Sequence, residues 1–478
     1  MLRHNFFVYI ILLATLAVGC SVRPPQSLPE VKTVPVSYDS SVQSAPYQRI
    51  SWKTWFTDVH LQQLIDSALR NNPDLLIAWQ RMEQSKARLL MSRGARLPLV
   101  NAAVSASGDH YGDYTMNGVG NFDTNLSGNI DKDQKIPTGI TPDFFVGFRS
   151  TWEIDIWGKL KDRQKAAAEA LLATSMGRQA LQTELVATVA QLYYDLMALD
   201  SELQIVNRNS ALQEAAFEVV KVQKDAGKAT ELAVQQFRAQ WLRTKAMVFG
   251  ISQAITATEN ELNALCGRYP GAISRDSISL DAVPRSSALP GSPADLLGNR
   301  PDLLEASHQV AAAGYLSSAA GKAFFPSLSL NPYVGFNAFK AALLFQPASL
   351  AYGAFAGLTA PLFNRMQLKA EQAIAHAEQR EAILRYQQRL LQAYREVKTL
   401  HAGLDNSTKA YQLKQEEVTV LQSAVGTARE LYYTGYANYL EVISAQRGAL
   451  DAELELTEQQ RDILKLSVGL YRALGGGW

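Results

Sequence analysis

The sequence predicts a mainly α-helical chain with some β structure, built as a duplicated helix–strand–strand–helix–helix unit. Three observations carry that expectation. There is an internal repeat at matched spacing, a pair of proline-free stretches with seven-residue apolar periodicity, and four segments with period-two polarity.

The repeat comes first, because it organises everything else. Asn72-Pro-Asp-Leu75 is followed by Leu97-Pro98, and Arg300-Pro-Asp-Leu303 by Phe325-Pro326, each displaced by 228 residues. Further on, Gly227, Leu232 and Val234 match Gly435, Leu440 and Val442 at an offset of 208. The shrinkage requires a deletion between Pro98 and Gly227, and the Gly-, Asn- and Asp-rich stretch from His110 to Asp143 is its natural place. These landmarks divide the chain into a leader (1–19), an N-terminal extension (20–57), a first repeat (58–266), a connector rich in Ser, Pro and Gly (267–293) and a second repeat (294–478).

The long helices follow from heptad spacing. Leu390, Val397, Leu404, Tyr411, Val418, Val425 and Tyr432 fall seven apart. In the first repeat, Leu185, Val189, Leu192, Leu196, Leu199, Leu203 and Val206 alternate steps of four and three, the seam of a left-handed supercoil. No proline interrupts 158–226 or 364–434, so each predicts a helix of roughly 100 Å at 1.5 Å per residue. Gly227 and Gly435 suit the stops that turn the chain back into antiparallel partners over 231–265 and 439–474.

Strands are expected at about 97–109, 143–156, 326–338 and 350–362. Between Phe144 and Ile156 the even positions are mostly apolar, while Arg149, Glu153 and Asp155 among the odd ones are candidates to face a water-filled lumen. Four strands cannot close a barrel, and an open edge facing lipid would leave backbone amides and carbonyls without partners. The strands must therefore be pooled between chains, giving eight strands from two copies or twelve from three. A lipid-anchored coiled-coil scaffold is the alternative that the heptads alone would allow.

Arg3 and His4 precede an apolar run to Gly19 that is short for a membrane span, the pattern of a secretory leader. It ends in LAVGC, which resembles a lipobox and makes Cys20 the candidate lipidated N-terminus, although Leu16 stands one place early. With Cys20 acylated, Cys266 has no disulfide partner and is expected as a small buried apolar residue. The balance of 46 basic and 45 acidic residues gives no basic field for nucleic acid. No two of the six histidines have zinc-ligand spacing, and no nucleophile, phosphate-loop or paired-cysteine motif occurs. The expectation is a protein without enzymatic activity, metal site or cofactor.

The duplicated plan, the LAVGC segment, RPDL at 300–303, DIWGKL at 155–160, LFNR at 362–365, YLEVISAQR at 439–447 and the closing ALGGGW together resemble the TolC family of outer membrane factors, in the lipoprotein branch serving RND-type tripartite efflux. That resemblance covers nearly the whole mature chain. It implies a homotrimer with a twelve-stranded transmembrane barrel continued by a helical tunnel across the periplasm. It further implies diacylglycerol and N-acyl lipid on Cys20. The partners would be a periplasmic adaptor (membrane fusion protein) and an inner-membrane RND transporter, with drugs or metal ions as cargo.

In that family an aspartate follows L-x-x-L near the periplasmic constriction. Ser444 stands at that position here, so Glu441, one turn earlier, becomes the candidate acidic gate residue, with Tyr432 nearby. Trp152, Trp157 and Phe363 are expected where barrel meets tunnel, since aromatic rings favour the membrane interface.

Overall fold

The computed structural model describes residues 27–33, 35, 51–137, 139–275, 298–361, 365–476 and 478. In chain order the elements are α1 (Trp52–Trp55), α2 (Val59–Asn71), α3 (Pro73–Gly94), β1 (Leu99–Asp109), α4 (Met116–Leu126), β2 (Thr141–Ile154), α5 (Lys159–Asp225) and α6 (Glu231–Leu265). The second half follows with α7 (Pro301–Lys322), β3 (Ser327–Ala338), β4 (Leu350–Thr359), α8 (Arg365–Thr434) and α9 (Tyr439–Ala473). The duplication is visible element by element: α3 and α7 are both 22 residues, and α6 and α9 are both 35. The β1–β2 connection spans 110–140 against 339–349 for β3–β4, and the 20-residue excess equals the drop in repeat offset from 228 to 208.

The chain divides into two compact units that cut across both repeats. One holds Ser85–Leu171 and Gln309–Ala382; the other holds Glu30–Gln84, Leu172–His308 and Ile383–Trp478.

The first unit contains one antiparallel sheet in the order β1-β2-β3-β4. Leu99 pairs with Thr151, Gly147 with Gly335 and Ser327 with Thr359, so odd residues always face odd residues across the ladder. Directly paired residues share a face. The even-numbered face therefore carries Val100, Val104, Phe144, Val146, Phe148, Trp152, Leu328, Leu330, Val334, Phe336, Tyr352 and Leu358, and no charged residue at all. The odd face carries small and polar side chains together with Arg149 and Glu153. It also carries four larger apolar residues, Leu99, Phe145, Tyr333 and Phe355, so the odd face is less uniformly polar than the alternation alone implied. Among the described residues no strand pairs with the outer edge of β1 or of β4.

The second unit is helical. The heptad positions are its core: Leu390, Val397, Leu404 and Tyr411 are buried with Ile463 and Leu470 of α9. Leu185, Val189 and Leu196 pack with α2 and with Leu464 and Val468. Tyr193, fully buried there, donates its hydroxyl hydrogen to Asp58 Oδ2 at 2.8 Å, while Oδ1 of the same carboxylate caps α2 by accepting from the His60 N–H at 2.7 Å. One side chain thus satisfies a buried phenol and a helix start together. Cys266 is buried in the same cluster, as expected of a small apolar residue.

Both long helices stop in the same way. Gly227 and Gly435 have φ of +75° and +82°, a region costly for any residue with a Cβ. The Gly227 N–H donates to the Lys224 carbonyl and the Lys228 N–H to Gln223, both at 2.8 Å; Gly435 and Tyr436 donate to Tyr432 and Leu431 in the same pattern. Thr230 and Asn438 then cap α6 and α9.

Candidate functional site

Two regions collect the residues singled out in the sequence. The first is the tip where α5, α6, α8 and α9 begin or end. Val220, Ala233, Phe237 and Val442 are buried together there, with Phe217, Ala428, Tyr439 and Ile443 packed around them. Tyr432 is half-buried against this cluster, and its hydroxyl donates to Gln223 Oε1 at 2.7 Å. Burial pushes the Tyr432 phenol above its ordinary pKa, with a smaller contribution from Tyr433, so it stays a donor throughout the neutral range. Lys224 and Glu231 pair at 2.7 Å across the turn.

Glu441 and Ser444 lie one turn apart on α9 and both are exposed. The Glu441 backbone N–H donates to Asn438 Oδ1, which fixes the helix start and leaves the carboxylate outward. The negative side chain in the first turn also complements the helix dipole.

The second region is the sheet and its exit into α5. Trp152 lies on the even face and donates from Nε1 to the Arg96 carbonyl at 3.0 Å. Trp157 donates to the Pro326 carbonyl at 2.7 Å and stacks on Phe325 with 5.1 Å between ring centres. Arg149 is exposed on the odd face, with its guanidinium carbon 4.4 Å from the centre of the Phe145 ring. Glu153 is on the same face but is held by Lys159 at 2.5 Å.

Asp155 departs from the expectation of a strand residue. β2 ends at Ile154, and the Asp155 carboxylate turns back to accept from the Leu160 N–H at 3.0 Å and the Lys161 N–H at 2.7 Å. It starts α5 instead of lining the sheet, because free N–H groups at a helix start attract a carboxylate more strongly than solvent does. Cys20 and Phe363 lie outside the described residues.

Phe145 and Gln223 were missed in the sequence. Phe145, 3% exposed, had a visible signal: FVGFR at 145–149 and YVGFN at 333–337 are the same pattern, and they pair antiparallel with Gly147 opposite Gly335. Gln223 gave none, since its partner is 209 residues away. Among the described residues no helix is long and apolar enough to cross a membrane, and no group of three metal-binding side chains occurs.

Comparisons with known proteins agree with this architecture. A family model described as outer membrane efflux protein matches residues 64–268 and 293–476. The cation efflux system protein CusC of Escherichia coli (strain K12) is 27% identical over 463 residues, covering 96% of each chain. The probable outer membrane lipoprotein SilC of Salmonella typhimurium is 28% identical, covering 95% of this chain and 94% of that one. The toluene efflux pump outer membrane protein TtgI of Pseudomonas putida is 29% identical over 431 residues, covering 89% of this chain and 87% of that one. Among solved structures, a CusC crystal structure superposes with a TM-score of 0.83 at 27% identity, covering 96% of this chain and all of that one. The open state of the Neisseria gonorrhoeae MtrE outer membrane channel has the same fold, with a TM-score of 0.81 at 24% identity over 96% of this chain and 98% of that one. The duplicated helices, the two-faced sheet and the matched family model lead to one conclusion: the chain belongs to the outer membrane efflux protein family, as an outer-membrane channel component of an efflux system.

Proposed function

We propose that the protein is a passive export duct, assembled as a homotrimer in which twelve pooled strands cross the outer membrane and the helices continue the passage through the periplasm. The observation that carries this reading is the segregation of charge on the sheet: an even-numbered face without a single charge, an odd-numbered face with every charged strand residue, and two outer edges to which no strand pairs among the described residues. A charged residue on a lipid-facing strand costs up to about 2–4 kcal/mol at mid-membrane, which accounts for their absence from one face only. The open edges call for pairing with sister chains.

Cargo arrives from an inner-membrane RND transporter through a periplasmic adaptor that grips the helical tip, and lipid on Cys20 anchors the N-terminus. The cargo is drugs or metal ions; among the relatives CusC is named for cations, and TtgI, named for toluene, is a precedent for small organic molecules. Tyr432, Glu441 and Ser444 form the periplasmic gate. Tyr432 fastens α8 to α5 through Gln223, and Glu441 and Ser444 present polar groups to the passage. Trp152, Trp157 and Phe363 mark the membrane interface, and Arg149 and Glu153 line the lumen.

The test is conduction by the purified protein in a planar lipid bilayer. Stepwise ionic currents of uniform size support the duct, and a folded protein that inserts without conducting overturns it. Deleting the gene and measuring sensitivity to copper, silver and a panel of drugs then identifies the cargo.

A further inference from the structure

The odd-numbered face of the sheet contains a feature that a smooth water-filled pipe does not need. Phe145 is almost wholly buried although it sits on the polar face, because its ring lies over the glycine pair Gly147 and Gly335. A Cβ built on Gly335 would meet Phe145 Cζ at 2.8 Å, and one on Gly147 would meet it at 3.0 Å. Tyr333 uses the same device one strand further, since a Cβ on its partner Gly353 would meet the Tyr333 ring at 2.8 Å. Three missing side chains thus provide a floor on which two aromatic rings rest, edge to face, with centres 6.3 Å apart.

Arg149 completes the arrangement. It is the direct cross-strand neighbour of Tyr333, and its guanidinium lies over the Phe145 ring. No carboxylate accepts from it among the described residues: Asp143 receives the Asn337 amide at 2.7 Å, and Glu153 is held by Lys159. A recess of about 430 Å³ opens beside these groups, with Thr151 and Asn331 also on its wall. That volume falls within the range of small-molecule sites.

We propose that this recess is a binding site for planar aromatic organic anions, carboxylates or sulfonates, met by cargo on its way through the lumen. The guanidinium, seated on the buried Phe145 ring, takes the anionic group in a forked hydrogen bond, and the exposed Tyr333 ring takes the apolar body. A metal cation is disfavoured by the unpaired positive charge and the lack of free carboxylates. A bare inorganic anion gains nothing from the Tyr333 ring. The site rests on the reading of the protein as a duct with this face inward, because cargo reaches the recess only by that route.

Equilibrium dialysis of the full-length protein in detergent against 2-naphthoate, with neutral 2-naphthalenemethanol as comparator, tests the site without requiring conduction. The expected result is that naphthoate binds at least about tenfold more tightly than the alcohol, and that Arg149→Gln removes this preference while retaining binding of the alcohol. Retained alcohol binding shows that the recess is still folded. Tyr333→Leu is expected to weaken both probes. Equal affinity of wild type and Arg149→Gln for naphthoate, or no naphthoate binding by wild type at millimolar concentration, overturns the site. Bilayer recording separates the two readings: naphthoate should reduce wild-type current reversibly and Arg149→Gln current about tenfold less potently. A protein that binds naphthoate as expected but never conducts would keep the site and remove the duct.

Discussion

Asn72 donates from Nδ2 to the carbonyl of Leu265 at 2.9 Å, tying the start of α3 to the last residue of α6. The second repeat makes the same tie with a different residue, since Arg300 Nη1 donates to the carbonyl of Ala473 at 3.0 Å at the end of α9. Duplication has preserved the job and changed the chemistry. Asn72 also caps α3, accepting from the Asp74 and Leu75 N–H groups. Arg300 instead forks onto Asp302 and reaches Glu396.

Asn72→Ala removes both the cap and the link to Leu265 from a side chain only 4% exposed. The expected loss is about 1–2 kcal/mol, seen as a lower unfolding midpoint of the helical circular dichroism signal in detergent. An unchanged midpoint would mean that water replaces both bonds.

Asp302 makes the second tie sensitive to acid. Burial works to raise its pKa, but the Arg300 hydrogen bonds and charge, with the Leu303 N–H, outweigh burial and hold the carboxyl below its ordinary value. A depressed folded-state pKa contributes stability that is present above the unfolded value near 4 and is lost as pH falls through the folded one. Asp302→Asn should therefore lower the unfolding midpoint at pH 7, and the gap from wild type should narrow below about pH 4.

Glu202 carries the opposite sign. Burial, then Glu458, raise its pKa against the pull of Arg461, and Asp195 adds to the rise. Its ionised form is disfavoured in the fold, so Glu202→Gln is expected to raise the unfolding midpoint at pH 7.5, with the gain vanishing as wild type protonates on acidification. A loss of stability at pH 7.5 would contradict this assignment.

How much of this was legible in the sequence differs by element. The ends of α5, α6, α8 and α9 are legible to within a residue or so, because proline-free heptad stretches and the glycine stops at Gly227 and Gly435 are local signals. The strand ends shifted for equally local reasons that period-two polarity does not encode. The Leu97 N–H closes a turn on Gly94 before β1 begins, Asp155 leaves β2 to cap α5, and Pro361 cannot extend the ladder beyond β4. Contacts such as Tyr432 with Gln223, or Phe145 over Gly335, join residues about two hundred positions apart and exist only once the helices and strands are paired.

At the tip, Tyr432→Phe removes one hydrogen bond without changing the packing of the ring. The net value of such a bond is about 1 kcal/mol, which should raise the open-to-closed ratio about fivefold in single-channel recordings. Glu441→Gln should lower the preference for cations over anions in the same recordings, measured as a shift in reversal potential under a salt gradient. Unchanged selectivity would show that this carboxylate does not face the pore.

Pooling of strands between copies requires that the outer edges of β1 and β4 be completed by sister chains. Single cysteines at Ala102 of β1, each combined with one along Ala351–Ala356 of β4, in a Cys266→Ser background, test it by oxidation in outer membranes. At least one pair is expected to give a covalent species of three chains on a non-reducing gel. Chains that stay single at every position, or that link only within themselves, would contradict it.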